Sequence, residues 1–146
     1  QNHTVFITPL PQNPSSLVKK AVQFWKGVGA QPVLLNAKMH DQYVALTSHL
    51  PHLLASAYVQ LYGTKARRSK GISTAAGPGF RDFTRIAAGN PAMWSDILEI
   101  NSAEVLVFLN QYRRQLTLLE KQLRQGRKRF WFSFFEKGKM IREKLS

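Results

Sequence analysis

The stretch TVFITPLPQNPSSLVKKAVQFWKGVGAQPVLL, residues 4–35, decides how the chain begins to fold. Its first part, Thr4–Thr8, is rich in β-branched and aromatic residues and is followed by a proline, which predicts a strand. Asn13 before Pro14 is a typical helix start, and apolar residues then recur at helical spacing. A second apolar run, Gln31–Leu35, predicts another strand. The stretch therefore predicts a strand–helix–strand unit.

This unit, residues 1–36, is too small to be a domain of its own. Two parallel strands leave their edges and faces uncovered, so we expect the unit to be the last crossover of a larger parallel sheet. No G-x-G-x-x-G fingerprint follows the first strand, and the glycine-rich piece Gly77-Pro78-Gly79 follows no predicted strand. The first residue is Gln1 and not methionine, so we expect an amino-terminal part to precede it.

From Ala37 onward the apolar spacing is helical throughout, so the chain is predicted to be mainly α. Pro51 lies inside the first predicted helix and removes one backbone hydrogen bond, so a kink is expected beside His49 and His52. The predicted segments are a helix over Ala37–Tyr62, a basic loop over Gly63–Gly77, a helix over Phe80–Ala88, a helix begun by Asn90-Pro91, a helix capped by Asn101 or Ser102, and a last helix that carries residues 130–135.

The helix after Asn101 carries an apolar seam whose members alternate spacings of four and three: Val105, Leu109, Tyr112, Leu116, Leu119 and Leu123. Such a seam is typical of coiled coils and requires a partner helix. The aromatic run Phe130–Phe135 that follows is too apolar on all sides for an exposed helix. We expect it to be buried against another helix or another subunit. Its basic flanks leave an interfacial membrane helix as the alternative.

The chain is strongly basic, because its 146 residues carry a formal net charge of +13. Such a charge predicts an anionic partner, which is nucleic acid, an acidic membrane or a small substrate with several negative charges. The sequence contains no cysteine, which excludes disulfides, thiolate metal sites and cysteine nucleophiles. No apolar run approaches the roughly 20 residues that span a bilayer, and a cytoplasmic protein is expected.

Two histidines, His49 and His52, lie three residues apart and so share one helix face. Histidines near neutral pH carry protons, donate hydrogen bonds or bind metals, although a structural role is the simpler interpretation of such a pair. Further metal ligands would have to come from His40, Asp41 or Asp82, at no recognisable spacing. A metal-dependent hydrolase that uses these five residues is one alternative function.

The segment Gly77–Arg85 joins a glycine turn to a helix start, where free backbone N–H groups favour an anion. Arg81 and Arg85 lie one helical turn apart, and an arginine matches a carboxylate with two parallel hydrogen bonds. Asp82 lies three residues before Arg85 and is placed to hold its guanidinium. The same residues also suit an ordinary surface ion-pair ladder, so carboxylate binding and a structural role both stay open.

Several motifs follow one another along the chain: FITP at 6–9, HD at 40–41, SHLPH at 48–52, GFRDFTRIA at 79–87 and PAMW at 91–94. In this combination the sequence resembles the prephenate dehydrogenase family over essentially its whole length. The resemblance implies a Rossmann-type dinucleotide-binding domain, of which residues 1–36 would be the end. Residues 37–146 would then form a helical substrate-binding and dimerisation domain, similar to the carboxy-terminal domain of 6-phosphogluconate dehydrogenase.

The resemblance also implies a reaction and partners. Such enzymes transfer hydride from prephenate to NAD or NADP and release the ring carboxylate, which yields 4-hydroxyphenylpyruvate for tyrosine biosynthesis. Some relatives prefer arogenate. The family's catalytic histidine, its serine partner and the glycine fingerprint belong to the amino-terminal domain, so no catalytic residue is expected in this chain. A homodimer is implied, with no bound metal, nucleic acid or membrane.

Four substrate-binding residues carry over from the family position by position. Arg85 resembles the arginine that binds a substrate carboxylate, and Asp82 resembles its neighbour in the same site. His52 resembles a histidine that contacts the substrate side chain, and it favours prephenate over arogenate. Trp94 resembles a tryptophan that closes the pocket, in some members from the partner subunit.

Two further residues of the same motifs, His49 and Gly79, complete the predicted substrate site. Pro78 departs from the run of glycines that is usual in the family at this turn. A function of another class also follows from the net charge, namely a basic helical nucleic-acid-binding module. Such a module would bind duplex or single strands tightly and with a steep dependence on salt.

Overall fold

The computed structural model describes residues 3–67 and 71–145, and these ranges are mainly helical. The chain divides into two compact units, Gln1–Phe108 and Leu109–Ser146. The elements in chain order are β1 (Thr4–Ile7), α1 (Ser15–Gly27), β2 (Gln31–Leu34), α2 (Ala37–Val44), a π-helical turn (Ala45–His49), α3 (Leu50–Ala66), a 3-10 turn (Ile72–Ala75), α4 (Pro78–Thr84), a second 3-10 turn (Arg85–Ala88), α5 (Pro91–Ile100), α6 (Ser102–Gln125) and α7 (Lys128–Glu143). The predicted mainly α fold with a strand–helix–strand beginning is confirmed, whereas the domain boundary between residues 36 and 37 stays a prediction.

The strands β1 and β2 form a two-stranded parallel sheet, with α1 as the crossover between them. Along β1 the side chains of Val5 and Ile7 are half-buried and those of their neighbours are exposed, which is the period of two expected for a strand. After α1 the chain turns because Gly29 adopts a left-handed conformation with φ of 82°. The register pairs Thr4 with Gln31, Val5 with Pro32, Phe6 with Val33 and Ile7 with Leu34.

The start of α1 differs from the prediction. Asn13 does not cap the helix, because its Oδ1 accepts a hydrogen bond from the backbone N–H of Leu10 at 2.8 Å. The carboxamide therefore closes the loop that precedes the helix. Pro14 occupies the cap position without a side-chain hydrogen bond, and α1 begins at Ser15.

A π-helical turn joins α2 to α3. The backbone N–H of Leu50 donates to the carbonyl oxygen of Ala45, which is five residues earlier. Pro51 follows directly and has no N–H to donate, so an ordinary α-helical hydrogen bond is missing at this point. The disruption expected beside His49 and His52 is thus present as a widened helical turn, and such turns often occur at functional sites.

The segment after α3 differs from the prediction in its boundaries. The helix extends to Ala66, beyond its predicted end at Tyr62. Gly63 is accommodated inside this helix, at a cost of about 1 kcal/mol relative to alanine. Residues 68–70 of the predicted loop lie outside the described residues. Ile72–Ala75 forms a 3-10 turn, so part of the predicted loop is helical.

The start of α5 agrees with the prediction. The Oδ1 of Asn90 accepts hydrogen bonds from the backbone N–H groups of Ala92 at 2.9 Å and Met93 at 3.2 Å. Pro91 occupies the first helical position, where its missing N–H costs no hydrogen bond. This cap fixes the direction in which the chain leaves the second 3-10 turn and thereby positions Trp94 on the first turn of α5.

The first unit has a small core. Its buried hydrophobic side chains are Ala45, Leu50, Ala55 and Val105. The two alanines lie in the π-helical turn and in α3, where their small side chains allow neighbouring segments to approach closely. Asn101 is also buried, with 8% of its surface exposed, and its Nδ2 lies 3.2 Å from the Nδ1 of His49. The core therefore lies next to the two histidines of the SHLPH motif.

The second unit consists of the later part of α6 and of α7. α6 ends at Gln125, and the Gly126 that follows has a left-handed φ of 64°. Of the predicted seam, Val105 is buried in the first unit and Leu109 and Leu119 are half-buried. Tyr112, Leu116 and Leu123 are exposed, Leu123 at 68%. The aromatic rings of α7 contact one another along the helix, yet Phe132 is 71% exposed and Phe135 is exposed as well. In the part of the chain that is described, no helix is both long enough and apolar enough to span a bilayer.

Candidate functional site

A cavity of about 170 Å³ lies in the first unit beside α3, the 3-10 turn after α4, and α5. His52 and Ser56 on α3 are four positions apart, and the lining residues of α5 are three and four apart, as expected for one face of each helix. Two residues predicted from the sequence, His52 and Trp94, meet in this cavity. The mainly apolar walls consist of His52, Leu53, Ser56, Ile86, Ala87, Gly89, Pro91, Trp94 and Leu98.

The His52 ring lies flat on the Trp94 indole, with ring centroids 3.8 Å apart and planes inclined by 26°. The Nδ1 of His52 lies 2.8 Å from the carbonyl oxygen of Ser48. Because a carbonyl oxygen only accepts, Nδ1 carries a hydrogen and donates it. Among the described residues Nε2 has no hydrogen-bond partner, so this nitrogen is available to a ligand. The ring is therefore fixed by both a stacking contact and a hydrogen bond.

Gly89 leaves room for the indole, because it has no Cβ atom. A Cβ atom at this residue would overlap the Nε1 of Trp94 and would lie 2.8 Å from its Cδ1. Any larger residue would thus displace the indole or the turn. Sequence reasoning missed Gly89, because a glycine before a helix cap has the same local pattern whether or not a side chain packs against it.

His49 contacts Trp94 edge-to-face, with centroids 6.2 Å apart, but it does not line the cavity. Its Nδ1 lies 3.2 Å from the Nδ2 of Asn101. Burial lowers the pKa of His49 below its usual value, and the nearby His40 lowers it further, while Asp41 opposes the shift. The lowered pKa favours the neutral ring, which lies against the indole and outside the cavity lining.

The predicted anion-binding residues are exposed and lie outside the cavity lining. Arg85 directly precedes the lining residues Ile86 and Ala87, whereas Asp82 and Gly79 lie earlier, on α4. Across residues 3–67 and 71–145, neither Arg85 nor Asp82 takes part in an ion pair. The expected contact between the Asp82 carboxylate and the Arg85 guanidinium is thus absent, and both groups face solvent.

Metal ligation receives no support from the geometry. The described residues contain no group of three or more His, Asp or Glu side chains that is arranged to hold a metal ion. His40 and Asp41 do contact each other, with 3.0 Å between Nδ1 and Oδ1. A pair of ligands is too few for a metal-dependent hydrolase. The cavity beside His52 is therefore the candidate site.

Known proteins resemble this chain both in sequence and in fold. A cyclohexadienyl dehydrogenase of Zymomonas mobilis is 32% identical over 120 residues, which cover 82% of this chain and 41% of that protein. The prephenate dehydrogenase of Bacillus subtilis is 28% identical over 145 residues, which cover 99% of this chain and 39% of that protein. The chain therefore spans about two fifths of the length of these relatives.

A solved structure extends the likeness to three dimensions. The prephenate dehydrogenase of A. aeolicus, in complex with hydroxyphenyl propionate and NAD+, superposes with a TM-score of 0.86 at 27% identity, over 98% of this chain and 50% of that one. Residues 36–137 match the family model of the prephenate dehydrogenase dimerization domain. The resemblance found in the sequence is thereby confirmed, and the chain belongs to the prephenate dehydrogenase family.

Proposed function

We propose that this chain is the substrate-binding and dimerising part of an NAD- or NADP-dependent prephenate dehydrogenase. The whole enzyme would oxidise prephenate and release its ring carboxylate, with 4-hydroxyphenylpyruvate as the product. The observation that carries the proposal is the apolar cavity, in a member of this family, where His52 lies flat on Trp94. A flat apolar wall with one available ring nitrogen suits a cyclic substrate that carries oxygen groups. Arogenate stays the alternative substrate.

His52 supplies the polar contact in this wall. Its Nδ1 is engaged by the carbonyl oxygen of Ser48, so Nε2 is the atom that meets the substrate. A neutral ring accepts a hydrogen bond from a hydroxyl group at Nε2, and a protonated ring donates one to a carboxylate. The protonated ring also gains from the face of Trp94 through a cation–π contact. His52 therefore suits a substrate that presents either of these groups to Nε2.

Carboxylate binding is assigned to Arg85, in agreement with the family motif. Its guanidinium has no ion-pair partner among the described residues, and it precedes two residues of the cavity wall. Arg81 differs, because its Nε donates to the carbonyl oxygen of Ala76 at 3.1 Å. A free guanidinium binds a carboxylate with two parallel hydrogen bonds. Asp82 and Gly79 stay predicted neighbours of this contact.

The dinucleotide is assigned mainly to residues outside this chain. NAD+ is present in the A. aeolicus relative, which supports a dinucleotide as the hydride acceptor. The turn between β1 and α1 contains Pro9, Pro11 and Pro14 and no glycine, so three of its positions lack the backbone N–H that a pyrophosphate requires. This turn does not fit a phosphate cradle. We expect the chain alone to bind substrate without oxidising it.

A second copy of the chain is the proposed partner of the exposed apolar surface. The family model that matches residues 36–137 is a dimerization domain. Leu123, Phe132 and Phe135 are exposed on the second unit, and large exposed apolar patches are typical of interaction surfaces. Each 100 Å² of apolar surface removed from water contributes roughly 2.5 kcal/mol. The aromatic face of α7 and the seam of α6 therefore support a homodimer.

Titration of the chain with prephenate, and with hydroxyphenyl propionate as a stable analogue, tests the proposed substrate site by calorimetry. Arg85→Ala is expected to weaken binding about tenfold to a hundredfold, because a charge-assisted pair contributes roughly 1.5–3 kcal/mol. Arg114→Ala removes an exposed cation of α6 as the matched control and is expected to leave the affinity unchanged. The proposal is wrong if neither compound binds. Equal weakening by both variants would also contradict it, since it would indicate only general attraction of anions to a basic chain.

A further inference from the structure

Asn101 lies in the connection between α5 and α6 and is buried, although its side chain is polar. Its Nδ2 lies 2.9 Å from the carbonyl oxygen of Asp41 and 3.2 Å from the Nδ1 of His49. These partners are 60 and 52 residues away along the chain. The amide therefore connects the start of α6 to the segment that carries the histidines of the SHLPH motif.

The chemistry of this contact determines where His49 carries its proton. The carbonyl oxygen of Asp41 can only accept, so the Asn101 atom that faces it is the amide nitrogen and not the amide oxygen. That nitrogen has two hydrogens, of which one is donated to Asp41 and the other is directed at the Nδ1 of His49. Nδ1 must therefore accept, and the proton of a neutral ring lies on Nε2.

The surroundings of His49 keep its ring neutral. Burial is the largest cause that lowers its pKa, followed by repulsion from His40; Asp41 acts in the opposite direction, and His52 lowers the pKa further. Among the described residues the Nε2 of His49 has no hydrogen-bond partner. The rings of His49 and Trp94 meet edge-to-face. The result is a donor that lies beside Trp94 and has no protein acceptor among the described residues.

We propose that Asn101 is a positioning residue that holds His49 in the Nε2–H tautomer, so that His49 acts as a hydrogen-bond donor and not as a base. The inference rests on the proposed function, because His49 is a predicted substrate-site residue and contacts Trp94, which lines the cavity. An Nε2–H group recognises an oxygen acceptor, such as a carboxylate, a carbonyl or a hydroxyl oxygen of the ligand. Asn101 thereby contributes to ligand selection without contacting the ligand itself.

The tautomer is measured on the full chain without ligand, by long-range correlation of imidazole protons and nitrogens in NMR spectra near neutral pH. The wild type is expected to show His49 with its proton on Nε2. Asn101→Leu removes the donor at similar volume and is expected to give a mixture of tautomers. Asn101→Asp replaces the donor by an acceptor and is expected to move the proton to Nδ1 and to raise the pKa of His49. Asn110→Leu, at an exposed position of α6, is the matched control and should leave the His49 signals unchanged.

A wild-type His49 with its proton on Nδ1, or with both nitrogens protonated near neutral pH, would overturn the inference. An unchanged tautomer in both Asn101 variants would overturn it as well. Should Asn101→Leu fail to fold, the wild type and Asn101→Asp decide the question. Affinity for hydroxyphenyl propionate is measured separately and is expected to fall about threefold to tenfold in Asn101→Leu. If the analogue binds to no version of the chain, the proposed function fails while the tautomer assignment stands, so the two failures are distinguishable.

Discussion

The two units of the chain differ in where their side chains find partners. In the first unit, His52 lies on Trp94 and Asn101 contacts His49, so polar and aromatic groups are arranged by the chain itself. In the second unit, the aromatic rings of α7 contact mainly one another, and Phe132 remains 71% exposed. The comparison teaches that the first unit arranges the groups of a site by itself, whereas the exposed apolar side chains of the second unit are suited to a partner.

The largest expected effect concerns the second unit. The double change Phe132→Glu with Phe135→Glu is expected to raise the dimer dissociation constant at least about a hundredfold, because burial of unpaired carboxylates costs several kcal/mol. Sedimentation equilibrium at several concentrations measures the effect. Leu10→Glu, at an exposed apolar position of the first unit, is the control and should leave the dimer intact. Dimerisation of the double variant at wild-type strength would show that this face is not the interface.

The next effect concerns the first unit and its indole. Gly89→Ala introduces a Cβ that overlaps the Trp94 ring, so we expect the indole to shift from His52 and analogue binding to weaken about tenfold, or about 1.4 kcal/mol. Calorimetry and indole fluorescence measure the two changes. Gly63→Ala is the matched control, since no atom lies within 4 Å of its added Cβ, and it should stabilise α3 by up to about 1 kcal/mol. Equal binding by both variants would contradict this account of Gly89.

A smaller effect is expected from the helix cap that precedes Trp94. Asn90→Ala removes the acceptor of two backbone N–H groups and should destabilise the chain by about 1 kcal/mol in urea unfolding. The comparison in the second unit is Arg124→Ala, which removes an exposed ion pair with Glu120 and should cost less than about 0.5 kcal/mol. A larger loss of stability from Arg124→Ala than from Asn90→Ala would contradict this prediction.

The smallest expected effect is a dependence of stability on pH. The pKa of His49 in the folded chain is below the ordinary value of 6.5, because the half-buried ring loses part of its hydration. As the pH falls, His49 is therefore protonated in the unfolded chain at a higher pH than in the folded chain. The part of the folding free energy that depends on a neutral His49 is complete above the pKa that His49 has in the unfolded chain. It is lost as the pH falls through the pKa that His49 has in the folded chain. His49→Gln should flatten this part of the curve in unfolding experiments, and an unchanged slope would refute the assignment.

Two identical dipeptides show how far local sequence predicts structure. Asn13-Pro14 and Asn90-Pro91 both have the pattern of a capped helix start, and a helix does follow each of them. Only Asn90 caps its helix, because the carboxamide of Asn13 accepts from the N–H of Leu10 instead. The pattern predicts where a helix begins, whereas the loop conformation decides which N–H group the side chain meets.

The sequence motifs identified some residues of the candidate site and missed others. The motifs named His52 and Trp94, and the structure brings both into one cavity. They also named Arg85, which the structure leaves exposed beside that cavity, so its role stays a proposal. Gly89 and Asn101 carried no functional signal in the sequence, since their contacts depend on how α5 and α6 pack against the segment at residues 37–66.

The sequence by itself determined the strand–helix–strand beginning, the helical remainder and the family motifs, because periodicity, caps and glycine turns act between close neighbours along the chain. Only the tertiary structure decided that His52 lies on Trp94, that Gly89 leaves room for the indole, and that the amide of Asn101 reaches a histidine 52 residues earlier. Such contacts depend on the relative placement of whole helices, which no local pattern fixes.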